Sequence, residues 1–450
     1  AMLMIVGCQK ATVSDQPPSV QAPPAAPTLL KFAAPLPTAK RDSLGNSELS
    51  RHKPEPSAMI QQEVVEFPLP GKGRTKIKVG LLLPLSGPYS EYGKSMLQAS
   101  QMAVFDFADD GFLLMPGDTV GTPDGAGAAG RDMLTRGAKL LLGPLFAESV
   151  AAVITPARKS GVNMVAFSNN RAVAGGGSFL FGELPREQVV RIVDYAHAQG
   201  VLRFASLAPD TPYGHQVVND LAQAVANIGG TLTNSTFFTE DPGNIRQAVR
   251  QIAQYDSRRK SLIKLRQKYR KHGNSNAQLN SMNTLGNVDF DALFVPSRGD
   301  ELKQIAAHLP FFGVDTSKVR LLGMGSWKTA GLGREPALVG AWFAAPVTNA
   351  RADFERRYQE LYGEAPDPLA VLAYDATALA AVLARAAGGA KFDTETLTPA
   401  NGFAGVGGIF RFLPSGEVQR GLAVLEVEPW GFGIRSPSPE SFETFEALSN

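Results

Sequence analysis

The chain has 450 residues, of which 44% are hydrophobic and 19% charged, and its formal net charge is +2. That length allows about two to three folding units with a sizeable core. The near-neutral balance excludes a global field for nucleic acid. The single cysteine, Cys8, excludes an internal disulfide, and the five histidines are too scattered for a metal site.

The N-terminus runs Ile5-Val6-Gly7-Cys8-Gln9. It resembles the end of a bacterial lipoprotein signal peptide: a short apolar run closing on small residues before a cysteine whose sulfur carries lipid. Residues 1–8 are expected to be the signal remnant, with Cys8 the lipidation site and the lipid anchoring the chain to a membrane. Gln9, not aspartate, resembles the outer-membrane sorting pattern of such lipoproteins. Residues 9–75 read as a proline-rich tether, crowded by Gln16-Pro17-Pro18, Pro23-Pro24 and Pro35-Leu36-Pro37. Such a stretch buries too little surface to offset its ordering entropy and is expected to be extended and mobile. Val64-Val65-Glu66-Phe67 is the one short apolar stretch in its later part that could dock on the globular part.

Organisation changes at Lys76. Residues 77–85 form a near-continuous apolar run, the pattern of a strand buried on both faces. A helix follows, with Met96, Ala99, Met102 and Ala103 on one face. Strands are predicted over 112–120, 139–145, 163–167 and 178–181, with a helix over 149–160. The alternation continues with helix 187–199, strand 204–208, helix 215–228, strand 231–238 and helix 245–255. Then come strand 292–296, helix 301–309, strand 319–324, extended chain over 342–347, and helices 352–362 and 369–387. Residues 409–412 and 422–427, separated by Pro414-Ser415-Gly416, read as a terminal hairpin.

Strands alternating with helices of this length make parallel sheets, and this many strands predict an α/β fold of two doubly wound lobes with a cleft between them. Lobe 1 is expected over about 76–186 and 348–404. Lobe 2 is expected over about 187–347 and 405–430, inside a globular part of 76–435 followed by a tail of 436–450.

Five ordered motifs then carry a resemblance. Leu83-Pro84-Leu85-Ser86-Gly87-Pro88-Tyr89 with Tyr92-Gly93, Leu142-Gly143-Pro144 with Ser149, Ala166-Phe167-Ser168-Asn169, Asp210-Thr211-Pro212-Tyr213-Gly214 and Ala373-Tyr374-Asp375-Ala376 resemble type I periplasmic binding proteins of the branched-chain-amino-acid group. Within that superfamily, Gly143-Pro144-Leu145-Phe146 and Phe167-Ser168-Asn169-Asn170 resemble the penicillin-binding-protein activators, outer-membrane lipoproteins that stimulate peptidoglycan synthases. The resemblance implies a non-catalytic outer-membrane regulator whose partner is a bifunctional penicillin-binding protein. The alternative is a substrate-binding protein of an importer for amino acids or amides. The best-known activators carry an N-terminal helical-repeat domain; a proline-rich tether stands there instead, which puts the mode of activation in doubt.

The candidate cleft residues are Ser86, Tyr89, Phe146, Ser168 and Asn169 from one lobe, with Tyr213, Ser297 and Trp327 facing them. Hydroxyls and amides at strand ends suit a carboxylate or carbonyl ligand, and Asp375 suits an ammonium group. The competing reading is that the Ser and Asn residues cap helices. A basic insertion over 257–287 carries Arg258, Arg259, Lys264, Arg266 and Arg270 as a candidate partner surface; Leu262, Leu265 and Tyr269 lie on one helical face. It suits either a partner surface or a solvated helix packed on its own lobe. Residues 274–287 read as a mobile loop. Gly125-Ala126-Gly127-Ala128-Ala129-Gly130 matches a dinucleotide fingerprint but not in the first strand–helix turn, so it is read as a connecting helix. No catalytic constellation, cofactor or metal site is expected.

Overall fold

The computed structural model describes residues 30–31, 76–271, 277–386 and 389–442. The first strand, β1 (Leu30–Lys31), comes from the N-terminal segment. Lobe 1 follows as β2 (Ile77–Leu83), α1 (Ser90–Phe107), β3 (Phe112–Asp118), α2 (Pro123–Thr135), β4 (Leu140–Leu142), α3 (Ala147–Lys159), β5 (Asn163–Ala166) and β6 (Ser178–Leu180). Its five strands are all parallel, in the order β3-β2-β4-β5-β6. Helices cover both faces, so the last five residues of β2 are buried without alternation.

Lobe 2 runs through α4 (Pro185–Ala198), β7 (Arg203–Pro209), α5 (Pro212–Asn227), β8 (Thr231–Phe238), α6 (Pro242–Ile252), α7 (Tyr255–Lys271), α8 (Ala277–Ser281), β9 (Ala292–Phe294), α9 (Gly299–Phe311), β10 (Arg320–Gly323) and β11 (Trp342–Ala345). The chain returns to lobe 1 with α10 (Asn349–Tyr362), α11 (Ala370–Ala384) and α12 (Thr394–Leu397). It finishes with β12 (Phe403–Gly405), β13 (Gly408–Phe412), β14 (Val418–Arg420), β15 (Ala423–Glu428) and β16 (Gly431–Ser436). The lobe 2 sheet has seven strands, β16-β15-β11-β10-β9-β7-β8, with β15 and β16 antiparallel. The two doubly wound lobes are the architecture expected from the strand and helix periods.

Four expectations change. The predicted hairpin of 409–412 with 422–427 is not formed. β13 turns back through Pro414-Ser415-Gly416 onto β14, and both join β12 in a separate small sheet, while β15 pairs with β11. The handover to lobe 2 therefore falls near residue 421 and not 405, because Phe403, Phe410, Phe412 and Val418 belong to the lobe 1 core. The helix expected over 245–255 ends at Ile252, where Gln254 at φ 50° turns the chain into α7. Within the expected tether, Leu30 and Lys31 pair in parallel with Phe403 and Ala404. Cys8 and Val64-Val65-Glu66-Phe67 lie outside the described residues.

The glycine-rich stretch of 125–130 lies inside α2, capped by Thr122 (its Oγ1 accepts from Gly125 N–H, 3.1 Å). Gly130 lets α2 approach α3; a Cβ there would sit 3.0 Å from Val153.

Each lobe opens with the same close packing. In α1, a Cβ at Gly93 would fall 2.0 Å from the Pro84 carbonyl oxygen; in α5, a Cβ at Gly214 would fall 2.0 Å from the Pro209 carbonyl oxygen. Both glycines follow a tyrosine, Tyr92 and Tyr213, each 43% exposed. The helix after the first strand of each lobe thus seats against the end of that strand only because no side chain intervenes. Gly93→Ala is expected to destabilise the fold by about 1–3 kcal/mol, the usual cost of overpacking. A urea midpoint equal to that of the parent chain would rule the close approach out.

Candidate functional site

In each sheet the strand order reverses at one point, and ligands of open α/β sheets bind beyond the strand ends there. In lobe 1, β2 lies between β3 and β4; in lobe 2, β7 lies between β8 and β9. Ser86 and Tyr89 follow β2, Phe146 follows β4, Tyr213 follows β7 and Ser297 follows β9. Five of the sequence-predicted residues therefore sit at the two reversal points. Ser168 and Asn169 follow β5, one strand further out.

Asp118, at the end of β3, organises the loop after β2. Its carboxylate accepts hydrogen bonds from the backbone N–H of Leu85 (2.9 Å), Ser86 (3.2 Å) and Val120 (2.8 Å) and from the Ser86 hydroxyl (2.6 Å). Burial pulls this carboxyl up, but the Ser86 hydroxyl and the three N–H groups outweigh it and hold it below the usual carboxylate range. The Ser86 proton is thereby committed, so Ser86 offers a ligand only its lone pairs. That corrects its expected role as a donor to a carboxylate.

The Tyr89 ring packs on Phe146 at 4.7 Å between centroids, tilted by 55°. These two residues occupy the N-cap positions of α1 and α3, and neither caps its helix with a side chain. The helices after β3, β7 and β8 are capped, by Thr122, Thr211 and Asp241. The helix after β9 opens on Arg298, again without a side-chain cap. Helix N-termini left open in this way favour anionic groups. Ser168 is buried and its hydroxyl accepts from the Asn170 N–H (3.2 Å), so it shapes the loop and leaves Asn169 exposed.

On lobe 2, Tyr213 stands at the start of α5, and its hydroxyl donates to the Met324 sulfur at 3.4 Å. Burial raises its pKa, nearby Arg298 lowers it and Glu183 raises it, which places both charges within electrostatic reach of the phenol. Lys328 is held below its ordinary value, by burial first and by Arg351 next, while Glu355 and Glu183 oppose. Glu183 lies on the first crossover between lobes and is felt by both Tyr213 and Lys328, while Arg298 is felt by Tyr213. Sequence reasoning missed Glu183, Arg298 and Lys328. It also passed over Tyr92, although Tyr92-Gly93 repeats Tyr213-Gly214. Ser297 is buried with its hydroxyl unpartnered, and its carbonyl accepts from the Trp327 indole N–H at 2.9 Å.

Two candidates leave the cleft. Trp327 is fully buried in the lobe 2 core against Phe343; a Cβ at Gly323 would lie 2.2 Å from the indole, so that glycine makes its place. Asp375 is buried in α11 and accepts from the N–H groups of Val406 (2.8 Å) and Gly407 (2.9 Å). It closes the β12–β13 turn and does not meet a ligand ammonium. Burial pushes its carboxyl up to about 6, against the pull of those N–H groups and of Arg420.

Two candidates also leave the partner surface. Arg258 is buried and donates to the carbonyls of Ala253 (3.0 Å), Gly286 (2.8 Å) and Gly313 (3.0 Å) and to the Thr284 hydroxyl (2.9 Å). Arg266 donates to the carbonyls of Leu279, Asn280 and Met282. The described part of the segment expected as a mobile loop is thus stapled to α7 by the two arginines. Arg259, Lys264 and Arg270 remain exposed.

Three crossovers join the lobes: after β6, after β11 and between β14 and β15. Arg420 at the end of β14 donates to the Phe181 carbonyl (2.5 Å) and lies over the Phe181 ring at 4.5 Å, tying the third crossover to the first. Thr348, at the second, donates to the Val406 carbonyl at 2.5 Å. Among the described residues no cluster of His, Cys, Asp or Glu is placed to hold a metal ion.

Residues 76–431 match the profile of a family described as periplasmic binding protein. The chain belongs to that family. Solved structures agree at the level of fold. A putative branched-chain amino acid ABC transporter protein from Rhodospirillum rubrum superposes with a TM-score of 0.65 at 16% identity, over 80% of this chain and 99% of that one. A substrate-binding protein of a branched-chain amino acid transporter from Streptococcus pneumoniae, in complex with isoleucine, gives 0.53 at 17%, over 81% and 100%. A solute-binding protein from Rhodopseudomonas palustris, in complex with 3,4-dihydroxybenzoic acid, gives 0.55 at 15%, over 81% and 98%. An uncharacterized protein of Rickettsia prowazekii is 24% identical over 188 residues, 42% of this chain. The chain spans about half the length of that curated relative, 50%.

Proposed function

We propose that this periplasmic binding protein is a non-catalytic solute receptor, located in the periplasm, whose cleft takes a small organic carboxylate and delivers it to an importer. The observations that carry this reading are the uncapped N-termini of α1 and α3 at the lobe 1 reversal point, with Tyr89 packed on Phe146 there, and Tyr213 at the lobe 2 reversal point, with Arg298 and Glu183 in its electrostatic reach and Lys328 in that of Glu183. The cations and helix ends suit a carboxylate, the aromatic rims suit an apolar body, and Glu183 suits an ammonium group. The isoleucine and the dihydroxybenzoic acid held by two structural relatives both carry a carboxylate.

The test is thermal unfolding with branched-chain amino acids, benzoates and their amides. A true ligand at 100 times its dissociation constant adds about 2.7 kcal/mol. Arg298→Ala is expected to lose most of that gain while leaving the ligand-free midpoint within a degree or two. Silence across the whole panel would sink the solute reading.

A second reading is favoured by one observation: Ser86 and Asp375, two expected ligand contacts, are committed to the protein's own groups. A cleft so reduced suits a lipid-anchored outer-membrane regulator, held through Cys8, that binds a bifunctional penicillin-binding protein and stimulates peptidoglycan synthesis. Here the retained protein is expected to enrich such synthases from a membrane extract over a control periplasmic protein. Equal recovery from both would dismiss it.

A further inference from the structure

The outward face of α7 carries a single-signed ridge. Lys260, Lys264, Lys268 and Lys271 recur about once per turn, and all four are exposed. They project from the side opposite Arg258, Leu262 and Arg266, which face the lobe. None of the four lysines makes a hydrogen bond or ion pair with a described residue. The ridge is about 16 Å long at the helical rise. Arg270 and Ile263 flank it on one side, both exposed, Ile263 by 42%. Arg259, also exposed, is engaged with the Tyr255 hydroxyl at 3.3 Å. The sequence has no acidic residue between Ser257 and Asn287.

A helix face kept polar only for solubility mixes its signs, as α10 does. There Arg351 pairs with Glu355 at 2.8 Å and Arg356 with Glu360 at 3.0 Å. The division of labour within α7 is also specific. Its two most deeply engaged arginines turn inward to backbone carbonyls, where forked donors are of use, and the outward ridge is lysine, a point charge on a flexible stem. A convex line of point charges with an exposed isoleucine beside it fits a flat, diffuse field of negative charge, not a pocketed ligand.

We infer that the lysine ridge of α7 docks the protein on an anionic lipid surface. The docking is electrostatic and reversible, it inserts no helix, and it is independent of what the cleft takes. Juxtaposed with such a surface, each lysine contributes roughly five-fold in partitioning.

The experiment uses the full chain made without lipid, as Cys8→Ser, in sedimentation with vesicles. Binding to vesicles of 30% phosphatidylglycerol in phosphatidylcholine is expected, with none to phosphatidylcholine alone. Raising salt from 50 to 300 mM should abolish it. The variant Lys260→Gln/Lys264→Gln/Lys268→Gln/Lys271→Gln should lose binding at least a hundred-fold with an unchanged melting temperature. Lys318→Gln/Lys303→Gln, on exposed lysines of lobe 2 outside α7, should not. Absence of binding to the charged vesicles overturns the inference, as does binding that survives the quadruple change. If the quadruple variant instead loses capture of an acidic protein while vesicle binding is unaltered, the ridge is a protein-docking surface and the lipid inference fails.

Discussion

Asp375→Ala is expected to be the most damaging single substitution in the chain, lowering stability by about 3–5 kcal/mol. The carboxylate is 1% exposed and is wrapped by the Gly405–Gly407 turn, where a Cβ at Gly405 would lie 2.4 Å from it. Removing it leaves two buried N–H groups without an acceptor and takes one of three carboxylates from buried Arg420, which also feels Glu183 and Glu187. The pH dependence supplies an independent check. Burial raises this carboxyl to about 6 in the folded protein, above the ~3.9 of an unfolded aspartate. Between those values the native state holds a proton that the unfolded chain has released. Its contribution to stability is therefore fully present below about pH 4 and is lost as pH rises to 6, a change of about 3 kcal/mol. The stability difference between the parent and Asp375→Asn should shrink by that order across the interval. A difference that stays flat from pH 4 to 7 would mean that the carboxyl is not raised.

Arg258→Ala is expected to lower stability by about 2–4 kcal/mol, because one guanidinium satisfies three carbonyls and a hydroxyl in the lobe 2 interior. The effect should be local as well as global: trypsin should cut within α7 many-fold faster, since the stapled segment no longer holds it. Lys264→Gln, one ridge position away from the core, should stay within about 0.5 kcal/mol of the parent. Equal losses for the two substitutions would mean that Arg258 is solvated like its neighbours.

The same helix illustrates what was legible in the sequence. Its charge was counted correctly, but its phase carried the structural information. Arg258, Leu262 and Arg266 are spaced by four and share the stripe of the apolar residues, so the two arginines had to lie against the lobe. Asp375 carried a similar signal, a lone carboxylate inside a helix apolar on every side, which calls for an internal partner. The lobes themselves were readable because β4 and β9 are short and wholly apolar and β2 is apolar from Val79 onward, a pattern that parallel strands covered on both faces explain. The small sheet was not. β14 has three residues, and between it and β15 stand only Gly421 and Leu422, without a turn signal, so β14 was missed and β15 was read as the hairpin partner of β13. The loops that end β2, β4 and β7 were legible from their motifs, although the Tyr-Gly repeated in the helix after each lobe's first strand went unused. The charges of Glu183, Arg298 and Lys328 were not legible, since Glu183 meets Tyr213 and Lys328, and Arg298 meets Tyr213, only when crossovers and loops are assembled in space.

The bond from Arg420 to the Phe181 carbonyl bears on how the molecule can move. Two crossovers are pinned together, and the other is fixed to the β12–β13 turn of lobe 1 by the Thr348 bond to Val406, which restrains sliding of the connections. The coordinate least opposed by these bonds is a rotation about the three connections. Any opening is then expected to be a hinge motion of rigid bodies, on the microsecond-to-millisecond scale of such closures, and under the proposed receptor function the angle between the lobes is the quantity that a carboxylate in the cleft would set.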